Sequence, residues 1–420
     1  MKRLGFGSLL LALLLIGCRT GTETIPPPTQ EPIVIVSATE IPAKTPSFTP
    51  TAEPTPEPTP EPTASPNPSE QERLLAYIAE MSTEEKIGQL CMFGFSGTTS
   101  ISEEFSGILQ TYHIGGVILF GQGKNISDSP SDGGFSQCRK LTDSIRAANG
   151  SEIPLLISTD VEGGSVKRFR WSKSLDSAQT LGKKNDTDRA RAQFSRIGEG
   201  LKDVGINVDL APVLDVANDP EDHFLGKRII SSDEEIAARI GIACIEGLHD
   251  ANVLSIVKHF PGHGAVNTDS HNATPVSDRS LKSLRAYELY PFARAMENGA
   301  DGVMVGHLLF RKIDSEHIAS QSFVFITELI RWEYGFEGIV MSDDFRMAGL
   351  RKQAPLDQAA VQFILAGGDL ILCGAQHEYQ RQILDGLYGA VRDGTIPEER
   401  LNESVYRILS AKLRVTDWAV

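Results

Sequence analysis

Val253-Leu254-Ser255-Ile256-Val257-Lys258-His259-Phe260-Pro261-Gly262-His263-Gly264 is an apolar, β-branched run that stops abruptly at titratable groups. Short and closed off by Pro-Gly, it reads as a buried strand rather than a helix segment. The Pro-Gly and Gly-His-Gly steps force a tight loop whose backbone can approach a ligand closely. Asp269-Ser270-His271 follows shortly, so the fourteen positions from Lys258 to His271 hold a lysine, three histidines and an aspartate. A strand that delivers chemistry at its C-terminal end is the pattern of a parallel α/β sheet.

Outward from that run, seven more of the same kind appear, at 87–95, 116–120, 155–159, 208–213, 302–306, 338–341 and 369–372. Between them lie stretches long enough for crossover helices, as at 188–204, 234–251, 284–298 and 357–366. Eight buried strands alternating with helices predict a closed (β/α)8 barrel of the TIM type. A doubly wound open sheet is the alternative, but no Gly-rich phosphate loop follows the first strand. Polar residues then sit at equivalent places. Asp160, Asp215, Lys258-His259, His307 and Ser342-Asp343-Asp344 each follow a predicted strand. In a barrel those ends converge on one face.

The chain ahead of the barrel has a different character. Met1-Lys2-Arg3, an apolar run and Leu15-Ile16-Gly17-Cys18 describe a secretory signal, and the run is too short to span a bilayer. The cysteine after Leu-Ile-Gly resembles a bacterial lipobox, which predicts a signal peptide at 1–17 and a lipidated Cys18 at the mature N-terminus. Residues 18–70 are rich in Pro, Thr and Glu, as in Glu53-Pro54-Thr55-Pro56-Glu57-Pro58. Proline at that density removes backbone donors and predicts a disordered spacer, extended over on the order of 100 Å. Residues 71–420 are then the barrel. The expected location is outside the cytoplasm, attached to the bacterial membrane surface through the N-terminal lipid alone.

A net charge of −15 argues against nucleic acid as a partner. Cys91 and Cys373 lie in strand-like runs and read as core residues. Neither CxxC nor Cys/His finger spacing occurs, so neither a disulfide framework, a structural zinc nor a cofactor is expected.

The strand-end residues suit cleavage of a sugar acetal, which needs a carboxylate on one side of the ring and a proton donor on the other. Asp343, Asp344, Asp160 and Asp269 are the candidate carboxylates; His259, His263, His271 and His307 are the candidate imidazoles. Asp343 can attack an anomeric carbon. His271 can donate the proton, with Asp269 two positions earlier fixing its tautomer and raising its basicity. A metallohydrolase is the competing reading, with His259, His263, His271, His307, Asp160 and Asp343 as ligands. Against it, Pro261-Gly262 prevents His259 and His263 from sharing a helix face, and Lys258 is a poor neighbour for a divalent cation.

At this point the chain resembles glycoside hydrolase family 3, in its single-domain β-N-acetylglucosaminidase branch. The resemblance runs collinearly through Met81-Ser82-Thr83-Glu84-Glu85-Lys86-Ile87-Gly88-Gln89-Leu90, Gly115-Gly116-Val117-Ile118-Leu119-Phe120 and Asp160-Val161-Glu162-Gly163-Gly164. It continues through Ala211-Pro212-Val213-Leu214-Asp215, the Lys258 to Gly264 loop with Asp269-Ser270-His271, and Ser342-Asp343-Asp344. It implies a retaining mechanism in which Asp343, not Asp344, is the nucleophile and His271, assisted by Asp269, is the acid/base. It also implies that Asp160, Arg168, Arg228, Lys258 and His259 hold the hydroxyls of the terminal sugar. Many relatives take the acid/base from a second domain, whereas 76 residues follow Asp344 here. Departures stand at Val161, Ser165, Ala265-Val266 and around Arg228.

The expected activity is exo-acting removal of terminal β-linked GlcNAc from muropeptides or related oligosaccharides by a monomer. A phosphorylase is an enzymatic rival, because a neutral imidazole does not repel phosphate as a carboxylate does. A non-catalytic glycan-binding lipoprotein is the other.

Overall fold

The computed structural model describes residues 69–121, 125–127, 134–169 and 174–420. The signal segment, Cys18 and the Pro-rich stretch up to residue 68 lie outside the described residues. Ser69 opens the described part by capping the helix Glu70–Glu80, two residues ahead of the expected start of the barrel domain.

Eight parallel strands form the centre: β1 Cys91–Gly94, β2 Gly116–Ile118, β3 Leu156–Thr159, β4 Val208–Asp209, β5 Leu254–Phe260, β6 Gly302–Val305, β7 Ile339–Ser342 and β8 Ile371–Cys373. Each pairs with its neighbours in chain order, as in Met92 opposite Gly116, Ile256 opposite Gly302 and Gly302 opposite Ile339. β1 pairs with β8 through Cys91 and Ile371. The remaining seam, between β7 and β8, closes through one bridge, Met341 to Leu370, beside the Ser342 N–H donating to the Leu370 carbonyl at 3.0 Å. The result is the (β/α)8 barrel that the sequence predicts. Every residue of the eight strands is buried. Helices cover the outer face and side chains fill the inner one, so the strands read as continuous apolar runs without alternation.

Three boundaries differ from the sequence reading, each for a local reason. The first residues of the run 87–95 belong to the helix Thr83–Gln89. Ser82 Oγ accepts the Glu85 N–H at 3.2 Å while the Glu85 carboxylate accepts the Ser82 N–H at 2.9 Å. That reciprocal cap outweighs the apolar pattern. β4 is only two residues long, because Pro212 has no N–H to offer the ladder; pairing resumes as a bridge from Val213 to Lys258. The helical stretch 284–298 is two helices, Leu281–Ala286 and Tyr290–Glu297, with Pro291 in the first turn of the second. One element has no counterpart in the sequence reading. Val276–Ser277 pairs in parallel with Leu309–Phe310, joining the loop after β5 to the loop after β6.

The lower end of the barrel is sealed by ion pairs. Asp369, just before β8, accepts the Arg331 guanidinium and the Val340 N–H on one oxygen. Its other oxygen accepts Ser404 Oγ at 2.8 Å, with Arg400 and Arg407 at 3.3 Å. Burial opposes ionisation of Asp369, but the three arginines outweigh it and hold its carboxyl below the usual range. Lys412, in the last helix Glu398–Val415, is fully buried, with its Nζ donating at 2.6 Å to Oε1 of Gln89, two residues before β1.

Candidate active site

At the upper end, the strand termini assemble a second group of buried charges. Asp160, one residue past β3, receives Lys258 Nζ on one oxygen and Arg168 Nη2 on the other, both at 2.7 Å. Glu162 receives Lys258 Nζ at 2.8 Å and a two-pronged contact from Arg228, Nε at 2.8 Å and Nη2 at 2.9 Å. Gly163 and Gly164, at φ 85° and 57°, turn the chain directly after Glu162 and bring both carboxylates to the same side. Burial resists ionisation of each. Lys258 and Arg168 nonetheless hold Asp160 well below the carboxylate range, and Lys258 and Arg228 hold Glu162 at about 2. Burial pulls on Lys258 in the opposite direction, but the two carboxylates keep its pKa raised. Two anions and three cations are therefore fixed, fully charged, around one space.

The Lys258 to Gly264 loop is organised by Asp215. Its Oδ2 accepts His259 Nδ1 at 2.7 Å and the His259 N–H at 3.2 Å, and its Oδ1 accepts the His263 N–H. His263 Nε2 lies 2.9 Å from Ser270 Oγ, and burial pulls this imidazole down to about 4. Gly264 is required by close approach, since a Cβ there would stand 1.8 Å from the Val216 carbonyl oxygen. His307, after β6, is buried with Nδ1 on Ser320 Oγ at 2.8 Å. These contacts give His259, His263 and His307 protein partners. Among the described residues no three His, Cys, Asp or Glu side chains stand together as a metal-binding set.

Asp343 and Asp344 follow β7 and are adjacent in sequence yet differently employed. Asp344 is occupied by Arg346, with Nε at 2.9 Å and Nη2 at 2.6 Å, and by the Gly374 N–H at 3.1 Å. The Arg346 guanidinium in turn lies 5.2 Å from the Phe120 ring centroid. Asp343 accepts only the Asp344 N–H, at 2.8 Å, among the hydrogen bonds of the described residues. Burial would raise its pKa, but the nearby His259 and His307 and that N–H leave it lowered. Asp343 is thus an ionised carboxylate with spare lone pairs.

The Asp269–His271 unit sits on the long loop after β5. Asp269 Oδ1 is 2.8 Å from His271 Nδ1 and also accepts the His271 N–H at 2.9 Å. The His271 side chain is 72% exposed, against 3% for Lys258, so it stands at the mouth rather than in the wall. With Nδ1 turned to the carboxylate, Nε2 is the nitrogen left for proton transfer.

All eight site residues expected from the sequence line one cavity of about 500 Å³: Asp160, Arg168, Arg228, Lys258, His259, Asp269, His271 and Asp343. Ile118, Leu210, Met304 and Leu372, from β2, the end of β4, β6 and β8, supply the apolar floor, with Phe120, Val166, Phe224, Leu225 and Met347 also lining the space. Asp215 and His307 support the wall from behind and do not line the space. The sequence reading missed Glu162, Arg346 and Phe224, which do line it. Glu162 had a usable signal, two carboxylates two residues apart at a strand end; Phe224 had none, standing in an irregular loop.

An anionic oxygen, an imidazole with a carboxylate behind it and a set of fixed charges thus stand around one sugar-sized space, the kinds of group that cleavage of a sugar acetal calls for. The comparisons with known proteins make the chain an enzyme of the glycoside hydrolase class. Its family follows from comparison: the model of the glycosyl hydrolase family 3 N-terminal domain matches residues 82–411, and the chain belongs to this family. It is 32% identical to a β-hexosaminidase of Idiomarina loihiensis over 293 residues, covering 68% of this chain and 84% of that one. It is 31% identical to the β-hexosaminidase LpqI of Mycobacterium tuberculosis, covering 80% and 84%. Among solved structures, a family 3 β-N-acetylglucosaminidase from a Paenibacillus species superposes with a TM-score of 0.74 at 35% identity, over 81% of this chain and 64% of that one.

Proposed function

We propose that the chain is an exo-acting, retaining β-N-acetylglucosaminidase that removes terminal β-linked GlcNAc from peptidoglycan fragments or related oligosaccharides. The observation that carries this reading is that Asp343 and the Asp269–His271 unit line one cavity together with the charged set Asp160, Glu162, Arg168, Arg228 and Lys258. The names of the relatives support the sugar.

In the first step Asp343 attacks the anomeric carbon while His271 Nε2 protonates the departing oxygen, giving a glycosyl-enzyme and a free leaving sugar. In the second step the now neutral His271 takes a proton from water, whose oxygen displaces Asp343. Asp269 keeps the imidazole in the tautomer that both steps need and stabilises its charged form. Asp160, Arg168, Arg228, Lys258 and His259 bind the hydroxyls of the terminal sugar, and Glu162 keeps Lys258 and Arg228 in place. We assign residues 1–17 to a signal peptide, Cys18 to the lipid and 18–70 to a spacer. The barrel would then work outside the cytoplasm near the membrane surface.

Release of p-nitrophenol from p-nitrophenyl β-N-acetylglucosaminide tests the reading. Asp343→Ala should lower kcat/KM by about 10⁴-fold or more, the scale on which loss of a nucleophile acts. Undiminished turnover in that variant rejects the assignment. Appearance of GlcNAc-1-phosphate in phosphate buffer would instead make the second-step acceptor phosphate.

A further inference from the structure

We propose that Phe224 is the stacking platform for the sugar that leaves, which adds a built leaving-group subsite to the function proposed above. Phe224 is 38% exposed, one of few large apolar side chains so open among the described residues, and it lines the same cavity as Asp343 and His271. A large ring held open at the mouth of a polar cavity invites a partner with an apolar face.

Its position is fixed on the side of the proton donor. The ring stands edge-on to His263, with centroids 4.8 Å apart, and His263 contacts Ser270, the residue between Asp269 and His271. The backbone is tied to the same loop. The Phe224 N–H donates to Asn267 Oδ1 at 3.0 Å, Asn267 Nδ2 donates to the Asp222 carbonyl at 3.0 Å, and His223 Nε2 lies 2.7 Å from the Val266 carbonyl. The ring therefore keeps its place relative to His271. Asp160, Glu162 and Lys258 line the same cavity with charge and suit the hydroxyl-rich terminal sugar.

The oxygen that His271 protonates belongs to the leaving group, so a ring tied to the loop that carries His271, and lining the same cavity, meets the leaving group. A β-linked pyranose presents axial C–H groups on its flat face, and these carry partial positive charge that the negative face of an aromatic ring attracts. The chemical class favoured is accordingly a second pyranose, rather than a small or acyclic alcohol.

The test compares two GlcNAc glycosides with similarly basic leaving groups. One is N,N′-diacetylchitobiose, whose leaving sugar can stack; the other is methyl β-N-acetylglucosaminide, whose methanol cannot. Phe224→Leu retains an apolar cover for His263 but has no π face, and Phe224→Trp retains the face. Phe224→Leu should lower kcat/KM for the disaccharide about 10-fold, through a raised KM, and change the methyl glycoside less than about 2-fold. Phe224→Trp should stay close to wild type on both. Equal losses on both substrates would mean that the ring only holds the loop, and an unchanged disaccharide rate would mean that it binds nothing; either overturns the proposal. If wild type cleaves neither glycoside, the glycosidase reading itself fails and takes this one with it.

Discussion

The two ends of the barrel both bury carboxylates among cations, yet they are built for different ends. At the lower end Asp369 has its oxygens shared among three arginines, a serine and a backbone N–H, and the space around it is filled. At the upper end Asp160, Glu162, Lys258, Arg168 and Arg228 are paired just as closely, but they face an open cavity of about 500 Å³. Ion pairing alone does not distinguish a structural cluster from a binding wall. What distinguishes them is whether the charges still have room for a ligand, and in a barrel that room lies at the C-terminal ends of the strands.

The sharpest way to break the comparison is to separate chemistry from stability. His271→Ala should cost about 10²- to 10⁴-fold on unactivated glycosides, and far less on dinitrophenyl glycosides, whose leaving group needs no proton. Its melting temperature should be unchanged, since the side chain is exposed. A uniform loss across leaving groups would count against the donor role. Next in size is a matched pair. Asp369→Ala leaves three arginines without their common partner and should destabilise by about 3–5 kcal/mol, with normal kcat/KM in the folded fraction. Arg168→Ala at the other end should do the reverse, lowering kcat/KM by about 10- to 100-fold with little thermal effect. Thermal melts and initial rates on both variants decide this; activity loss in the first or none in the second would erase the distinction.

Smaller effects divide the two ends by pH. His263 is held down at about 4, against an unfolded value of 6.5, so the unfolded chain binds the extra proton between those values. The melting temperature should therefore fall as pH is lowered from about 6.5 to about 4, and His263→Asn should flatten that slope. Lys412 is depressed well below 10.5 by burial, so the unfolded chain keeps a proton that the folded chain resists. That penalty is present at neutral pH and is relieved as pH rises toward 10.5. Lys412→Met should change stability by on the order of 1 kcal/mol at pH 7. The difference from wild type should drift against the variant as the solution becomes more alkaline, and a pH-independent difference would show that Lys412 is charged in both states.

How much was legible in the sequence follows the same division. The strands were readable because burial on both faces leaves an unbroken apolar run, and Asp160, Lys258, His259 and Asp343 were readable because they stand where such runs stop. Asp269 and His271 were readable by local spacing. Ile87 was misplaced in a strand, although the Ser82/Glu85 cap that puts it in a helix is itself a sequence signal. Glu162 was passed over because its importance depends on Arg228 and Lys258, which reach it from positions far along the chain. Asp369 opens an apolar run where Asp343 follows one, so chain order assigns them to opposite ends; what the sequence does not show is the three arginines that meet Asp369.

The short pairing of Val276–Ser277 with Leu309–Phe310 gives the loop that carries Asp269 and His271 a return anchor outside the main ladder, while Gly264 pins its departure against Val216. The segment between them is thus fastened at both ends without using a rung of the eight-stranded cylinder.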